Sequence, residues 1–196
     1  MKYFVAHLLT GDAKTYHERL TRDIAYRYGV YPLHERVVPH FTVKAPFECD
    51  EEGIQEVERV LRSFAHNESS APYTIRGFGK FGFRTAYLDV HRSPEAISLV
   101  RRAIRTVNDN VSWVPRSPLE GNKLHASVAR FMTRKQSRRV GRYLATQKAF
   151  FRQTLDNIAI LRKEGRTWDV ETVIALRSES PVFLGSQYEE APILAL

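Results

Sequence analysis

Two four-residue strings carry the residues best suited to chemistry. His40-Phe41-Thr42-Val43 and His125-Ala126-Ser127-Val128 each set an imidazole, an apolar residue, a hydroxyl and a second apolar residue in succession. Side chains alternate between faces along a β-strand, so His40 and Thr42 share one face while Phe41 and Val43 turn to a core. The same alternation joins His125 to Ser127. In-line cleavage of a phosphate ester needs a base and an acid on opposite sides of phosphorus. Imidazole, with an ordinary pKa of about 6.5, serves either role. The Thr42 and Ser127 hydroxyls could donate to the equatorial phosphoryl oxygens, where charge must be stabilised, and such a mechanism requires no metal or cofactor.

Two cations adjoin these strings. Lys44 shares the face of His40 by alternation, and Arg130 has the wrong parity unless the strand ends or bulges before it; each is a candidate phosphate ligand, or else a solvated charge at a strand end. The run Arg76 to Phe83 (RGFGKFGF) matches G-x-G-x-x-G from Gly77 to Gly82 but continues into β-prone sequence instead of a helix, so a dinucleotide site fails its context. It also resembles an RNA-recognition-motif signature, with Lys80 where an aromatic is expected. A bend with core phenylalanines is the plainer reading, and Phe78 and Phe81 are candidates for stacking a base at a rim. His7, His17, His34, His66 and His91 show no metal-ligand spacing and read as surface or satisfied residues, with His7 a lesser candidate for the groove. Arg134, Arg138 and Arg142 fall on one helical face, either solvated or tracking an RNA backbone.

The elements that must position the two strings follow from pattern. Tyr3 to Leu9 reads as a strand, 13 to 28 as a helix, 37 to 47 as a proline-bracketed strand, and 50 to about 65 as a helix with an acidic start. Two strands around a glycine-rich bend occupy 73 to 90. Ser93 and Pro94 cap and open a helix to about Asn108. After a Pro- and Ser-containing linker, 112 to 122, come a strand from Leu124 to Phe131, a helix from Thr133 to about Lys148, and a hairpin of 155 to 161 with 167 to 176. PHFTV at 39 to 43 returns as LHASV at 124 to 128, each on a short strand with a helix soon after, which suggests duplication.

The 196 residues suit one domain, and 43% hydrophobic with 27% charged residues argues against disorder. No run approaches the roughly 18 apolar residues of a membrane helix, and the N-terminal stretch is too short and mixed for a secretory signal, so a cytoplasmic protein is expected. Cys49 is the single cysteine and reads as a small half-buried apolar group. The formal charge of +8 favours polyanionic partners such as RNA or phosphorylated ligands.

The paired strings resemble the His-x-Thr/Ser-x motifs of the two-histidine phosphoesterases, a family that includes the 2′-5′ RNA ligases and cyclic nucleotide phosphodiesterases. The resemblance implies an α+β, bilobal, duplicated fold over residues 1–177, with two antiparallel sheets flanked by helices and a central groove. A C-terminal segment, 178–196, is left over. The implied activity is hydrolysis of 2′,3′-cyclic phosphate ends of RNA, or of a small cyclic nucleotide phosphodiester, with reverse 2′-5′ ligation conceivable. His40 and His125 would be acid and base, Thr42 and Ser127 would hold the phosphate, and a basic residue such as Arg130 or Lys44 would assist. Ser127 departs from the commoner threonine. A monomer is expected, and the competing reading is a non-catalytic module that binds RNA or a nucleotide in the same basic groove.

Overall fold

The computed structural model describes residues 1–117 and 120–177. Its elements run β1 (Lys2–Leu8), α1 (Gly11–Tyr28), a 3₁₀ turn (Leu33–Glu35), β2 (His40–Glu48), α2 (Glu51–Asn67), β3 (Ala71–Phe81) and β4 (Thr85–Arg92), followed by α3 (Pro94–Asn110), β5 (His125–Ala129), α4 (Arg134–Ala145), β6 (Phe150–Leu155), β7 (Asn157–Glu164) and β8 (Thr167–Ala175). The strands form two antiparallel four-stranded sheets, β2-β1-β7-β8 and β5-β4-β3-β6. This is the α+β architecture expected, with one motif strand at an edge of each sheet. β2 and β5 touch, so the two edges meet and their motifs face a common space. The leftover segment 178–196 lies outside the described residues.

Local chemistry sets the helix starts. Asp50 accepts from the Gly53 amide ahead of α2, and Ser93 accepts from Ala96 with Pro94 in the first turn of α3. Thr133 and Gln136 close a reciprocal capping box on α4, and Gln136 also donates to the Gly29 carbonyl at the end of α1. Such caps contribute about 1 kcal/mol each. α1 follows β1 in the chain yet packs on β5 and β6 of the other sheet, which ties the lobes together. One continuous buried cluster, including Val5, Phe41, Leu61, Leu88 and Val128, spans both sheets.

Two expectations are corrected. The glycine-rich run is not a bend: β3 continues through Gly77 and Gly79 to Phe81, and the chain turns at 82–84. Gly77, at φ 72°, absorbs a bulge between Ile75 and Phe78, and Gly79 leaves room for the Tyr87 ring, whose Cε2 would lie 2.3 Å from any added Cβ. The expected hairpin forms as β7 with β8 but starts at Asn157 and not at Leu155, because Leu155 ends a separate strand, β6, which joins the other sheet. The crossing falls at Asp156-Asn157, where Asn157 Oδ1 accepts from the Leu8 amide at 2.9 Å and its Nδ2 donates to the Leu8 carbonyl at 3.2 Å. That side-chain amide replaces the ladder bonds lost in the switch, a substitution with no turn signature in the sequence.

Candidate active site

The motif strands depart from regular alternation at the same place. In β2, Val43 and Lys44 are consecutive and both buried, and the pairing with β1 skips a residue between Thr42↔Ala6 and Lys44↔Val5. In β5, Val128 and Ala129 are consecutive and buried, and the pairing with β4 skips between Ser127↔Tyr87 and Ala129↔Ala86. Each is a β-bulge, which puts two residues opposite one and reverses the parity of everything beyond it.

Up to the bulges, alternation holds and assembles the site. His40, Thr42, His125 and Ser127 line one cavity of about 340 Å³. His40 Nδ1–H donates to the Val38 carbonyl at 2.7 Å, and His125 Nδ1–H donates to the Lys123 carbonyl at 3.0 Å. Both rings therefore use the carbonyl two residues back to fix the tautomer, leaving Nε2 as the free nitrogen. Neither the Thr42 nor the Ser127 hydroxyl has a protein hydrogen-bond partner among the described residues. Burial drives the His40 pKa down to about 4, against the Val38 hydrogen bond, with Arg130 and His125 depressing it further. Burial also lowers His125, helped by Arg130 and Lys123, while the Asp89 carboxylate on the neighbouring strand pulls it back up.

Beyond the bulges the two cations separate. Arg130 escapes the parity objection because β5 bulges and ends before it, and it lines the cavity beside the histidines. Lys44 is the correction. The bulge turns it out of the His40 face and into the interior, where its ammonium donates to Asn108 Oδ1 at 2.8 Å, the Pro115 carbonyl at 2.6 Å and Glu120 Oε2 at 2.9 Å. Those bonds use all three ammonium hydrogens, so it has none left for a phosphate. Glu120 also accepts from the Ala45 amide at 3.1 Å, which pins the loop leading into β5 onto β2.

The two phenylalanines also separate. Phe81 lines the cavity with its ring centroid 4.7 Å from that of His125, edge to face, and Tyr87 lies 5.2 Å from the same imidazole. Phe78, three residues earlier on the strand, faces the other way and packs against the core. His7 is a satisfied core residue, bonded to the Asn157 carbonyl and the Tyr73 hydroxyl at 3.0 Å each, and is not in the groove.

His17 is the residue that sequence reasoning passed over. It lies on α1, lines the cavity, and its Nε2–H donates to the Ser127 carbonyl at 2.8 Å. Its Nδ1 is buried without a partner, and burial pushes its pKa down to about 4. The signal was present: Ala13, His17, Leu20, Thr21 and Ile24 are the buried face of α1, so helical periodicity sets an imidazole among apolar positions. Trp168, at the start of β8, closes another wall, with its ring 4.7 Å from Phe4. Among the described residues no group of three or more His, Cys, Asp or Glu side chains is placed to hold a metal ion, and no helix is long and apolar enough to cross a membrane.

The model of the 2′-5′ RNA ligase superfamily matches residues 13–167, a span that includes both motif strands. The chain belongs to that superfamily. A putative phosphoesterase of Bacillus cytotoxicus is 26% identical over 154 residues, covering 74% of this chain and 83% of that protein. Among solved structures, the TT0787 protein of Thermus thermophilus superposes with a TM-score of 0.65 at 16% identity, covering 92% of this chain and 100% of that one. Escherichia coli LigT, solved with 3′-AMP, gives 0.59 at 14% identity, covering 89% and 97%. These likenesses support the two-sheet fold, and the superfamily match makes the two-histidine resemblance a shared ancestry.

Proposed function

We propose that the chain is a phosphodiesterase that opens a 2′,3′-cyclic phosphate, at an RNA end or on a small nucleotide, by acid and base catalysis from His40 and His125. The observation that carries the proposal is the matched tautomer: two imidazoles, each held by Nδ1 with Nε2 left free, line one cavity of about 340 Å³. A base must be neutral and an acid protonated at the same moment. His40, with the lower pKa support around it, is assigned the base. His125, with Asp89 nearby to favour its imidazolium, is assigned the acid. Thr42 and Ser127 donate to the equatorial oxygens, and Arg130 offsets their charge.

Water attacks phosphorus and gives its proton to His40 Nε2, the bond to one ribose oxygen breaks, and that oxygen takes the proton of His125. The superfamily match and the putative-phosphoesterase relative support phosphoester chemistry, and the 3′-AMP complex of LigT makes a ribonucleotide ligand apt. The test is turnover of a nucleoside 2′,3′-cyclic phosphate and of a cyclic-phosphate-ended oligoribonucleotide, in EDTA, for wild type, His40→Ala and His125→Ala. Each variant should lose about 10²- to 10⁴-fold. Binding of both substrates without turnover by the wild type would leave a binding module.

A further inference from the structure

A second cavity, of about 400 Å³, adjoins the first and shares His17, Val37 and Trp168 with it. It lies on the His40 side, since Val38, whose carbonyl fixes the His40 tautomer, and Pro39 are in its wall. We propose that it is a subsite for an uncharged, hydroxyl- or amino-bearing group, a nucleoside or sugar attached to the phosphate, and that it rejects a second phosphate. This inference rests on the proposed function only in taking a phosphate ester as the ligand.

Charge and hydrogen-bonding capacity carry the argument. Glu18, Glu35 and Asp169 line the cavity against Arg22 and Arg36, so carboxylates outnumber guanidinium groups in a chain whose formal charge is +8. None of these five makes an ion pair with an oppositely charged lysine, arginine, aspartate or glutamate among the described residues. Glu35 has only His34 Nε2, at 3.6 Å. The three carboxylates are therefore available as acceptors and the two guanidinium groups as donors, and the net negative lining disfavours a further anion.

Three residues of the wall also hold a buried nitrogen with no partner: His17 Nδ1, His34 Nδ1 and Arg36 Nε. A buried polar group left unpaired is destabilising, so a ligand that supplies partners is favoured, an acceptor for Arg36 Nε–H among them. For His17 the required partner is defined. Its Nε2–H is committed to the Ser127 carbonyl and its ring is neutral at pH 7, so Nδ1 is an acceptor and needs a donor such as O–H or N–H. A phosphate dianion has no proton to offer it. Trp168 adds an apolar wall between the two cavities, suited to a sugar or base face.

The test uses the full chain and two substrates, a nucleoside 2′,3′-cyclic phosphate and the same compound with a second phosphate on its 5′-hydroxyl. The additional phosphate should raise KM by about tenfold with kcat little changed. Glu18→Gln combined with Asp169→Asn should remove most of that penalty, read as the ratio of the two KM values within the variant, against the same ratio in the wild type. Equal KM values in the wild type, or a lower one for the 5′-phosphorylated compound, overturn the proposal.

If neither compound is turned over, the proposed function has failed and the subsite is decided by binding. ¹⁵N-labelled protein saturated with inorganic phosphate is titrated with adenosine and, separately, with ribose. Shifts of the Glu18, Val37 and Asp169 amides by adenosine alone identify a nucleoside subsite, and shifts by both identify a sugar subsite. No shift at these amides with either compound overturns the inference.

Discussion

The two motif strands are built alike through five residues and then part. Each begins with a histidine bonded to the carbonyl two residues back, carries a hydroxyl two residues on, and bulges after it. The bulge position is filled by Lys44 in β2 and Ala129 in β5, both fully buried. The cation of β5 comes one place later, at Arg130, where it reaches the cavity. One residue of offset thus separates an ammonium locked inside the protein from a guanidinium turned to the ligand. The repeat conserves backbone geometry, while the charge placed on it decides whether a strand is anchored or equipped.

The largest expected effect comes from exchanging each cation for an apolar residue of similar length. Lys44→Met strands the Glu120 carboxylate, whose side chain is 5% exposed, in the interior and should cost about 3–5 kcal/mol in urea unfolding. A Lys44→Met, Glu120→Leu double variant should recover much of it. Activity that Lys44→Met loses through the stranded charge should return with stability in the double variant, although the Ala45 amide there no longer has the Glu120 carboxylate as its acceptor. Arg130→Met should behave in the opposite way, with stability within about 0.5 kcal/mol of wild type and kcat/KM down by about 10²- to 10³-fold. Native stability in Lys44→Met would break the comparison.

That contrast also shows how far sequence reading reaches. Alternation places His40 with Thr42 and His125 with Ser127 because it needs only the two-residue period, and the strand and helix order follows from apolar patterning and caps such as Ser93-Pro94. The same rule misplaces Lys44 because a bulge has no residue signature here: Val43-Lys44 and Val128-Ala129 share only a valine, which any strand accepts, and their position after the hydroxyl. It misses β6 as a separate strand because Asn157 performs the crossing through its side chain. Phe78 and Phe81 are three apart on one strand, so they could never have lined one face together. His17 was legible, as an imidazole on the apolar face of α1, but its meaning depends on where α1 packs, and that is a long-range fact.

A pH profile gives a smaller effect. The base must be deprotonated, so kcat/KM rises as pH climbs through the His40 value of about 4. The acid must be protonated, so kcat/KM falls as pH climbs through the His125 value, which burial holds below the ordinary 6.5. The optimum in the free enzyme should therefore lie on the acid side of about 6.5. Arg130 depresses both imidazoles, so the profile measured on the residual activity of Arg130→Met should move to higher pH on both limbs. Lys44 contributes to neither imidazole, and the Lys44→Met, Glu120→Leu variant should keep the wild-type profile. An optimum above about pH 7.5 in the wild type would remove the assignment of acid and base.

The smallest effect concerns the hydroxyls, the one motif position at which the strands differ in the chemistry they offer. Thr42 has a β-methyl that restricts χ1, and Ser127 does not, so the Ser127 hydroxyl samples more directions before a phosphate arrives. Restricting it should be worth roughly 0.5 kcal/mol or less, which is about a twofold gain in kcat for Ser127→Thr and a similar loss for Thr42→Ser. The backbone carbonyl that accepts from His17 is untouched by either change. If Ser127→Thr instead falls to the level of Ser127→Ala, the added methyl has met a wall, and serine stands in the second strand for space; a matched gain and loss would make the two strands interchangeable at this position.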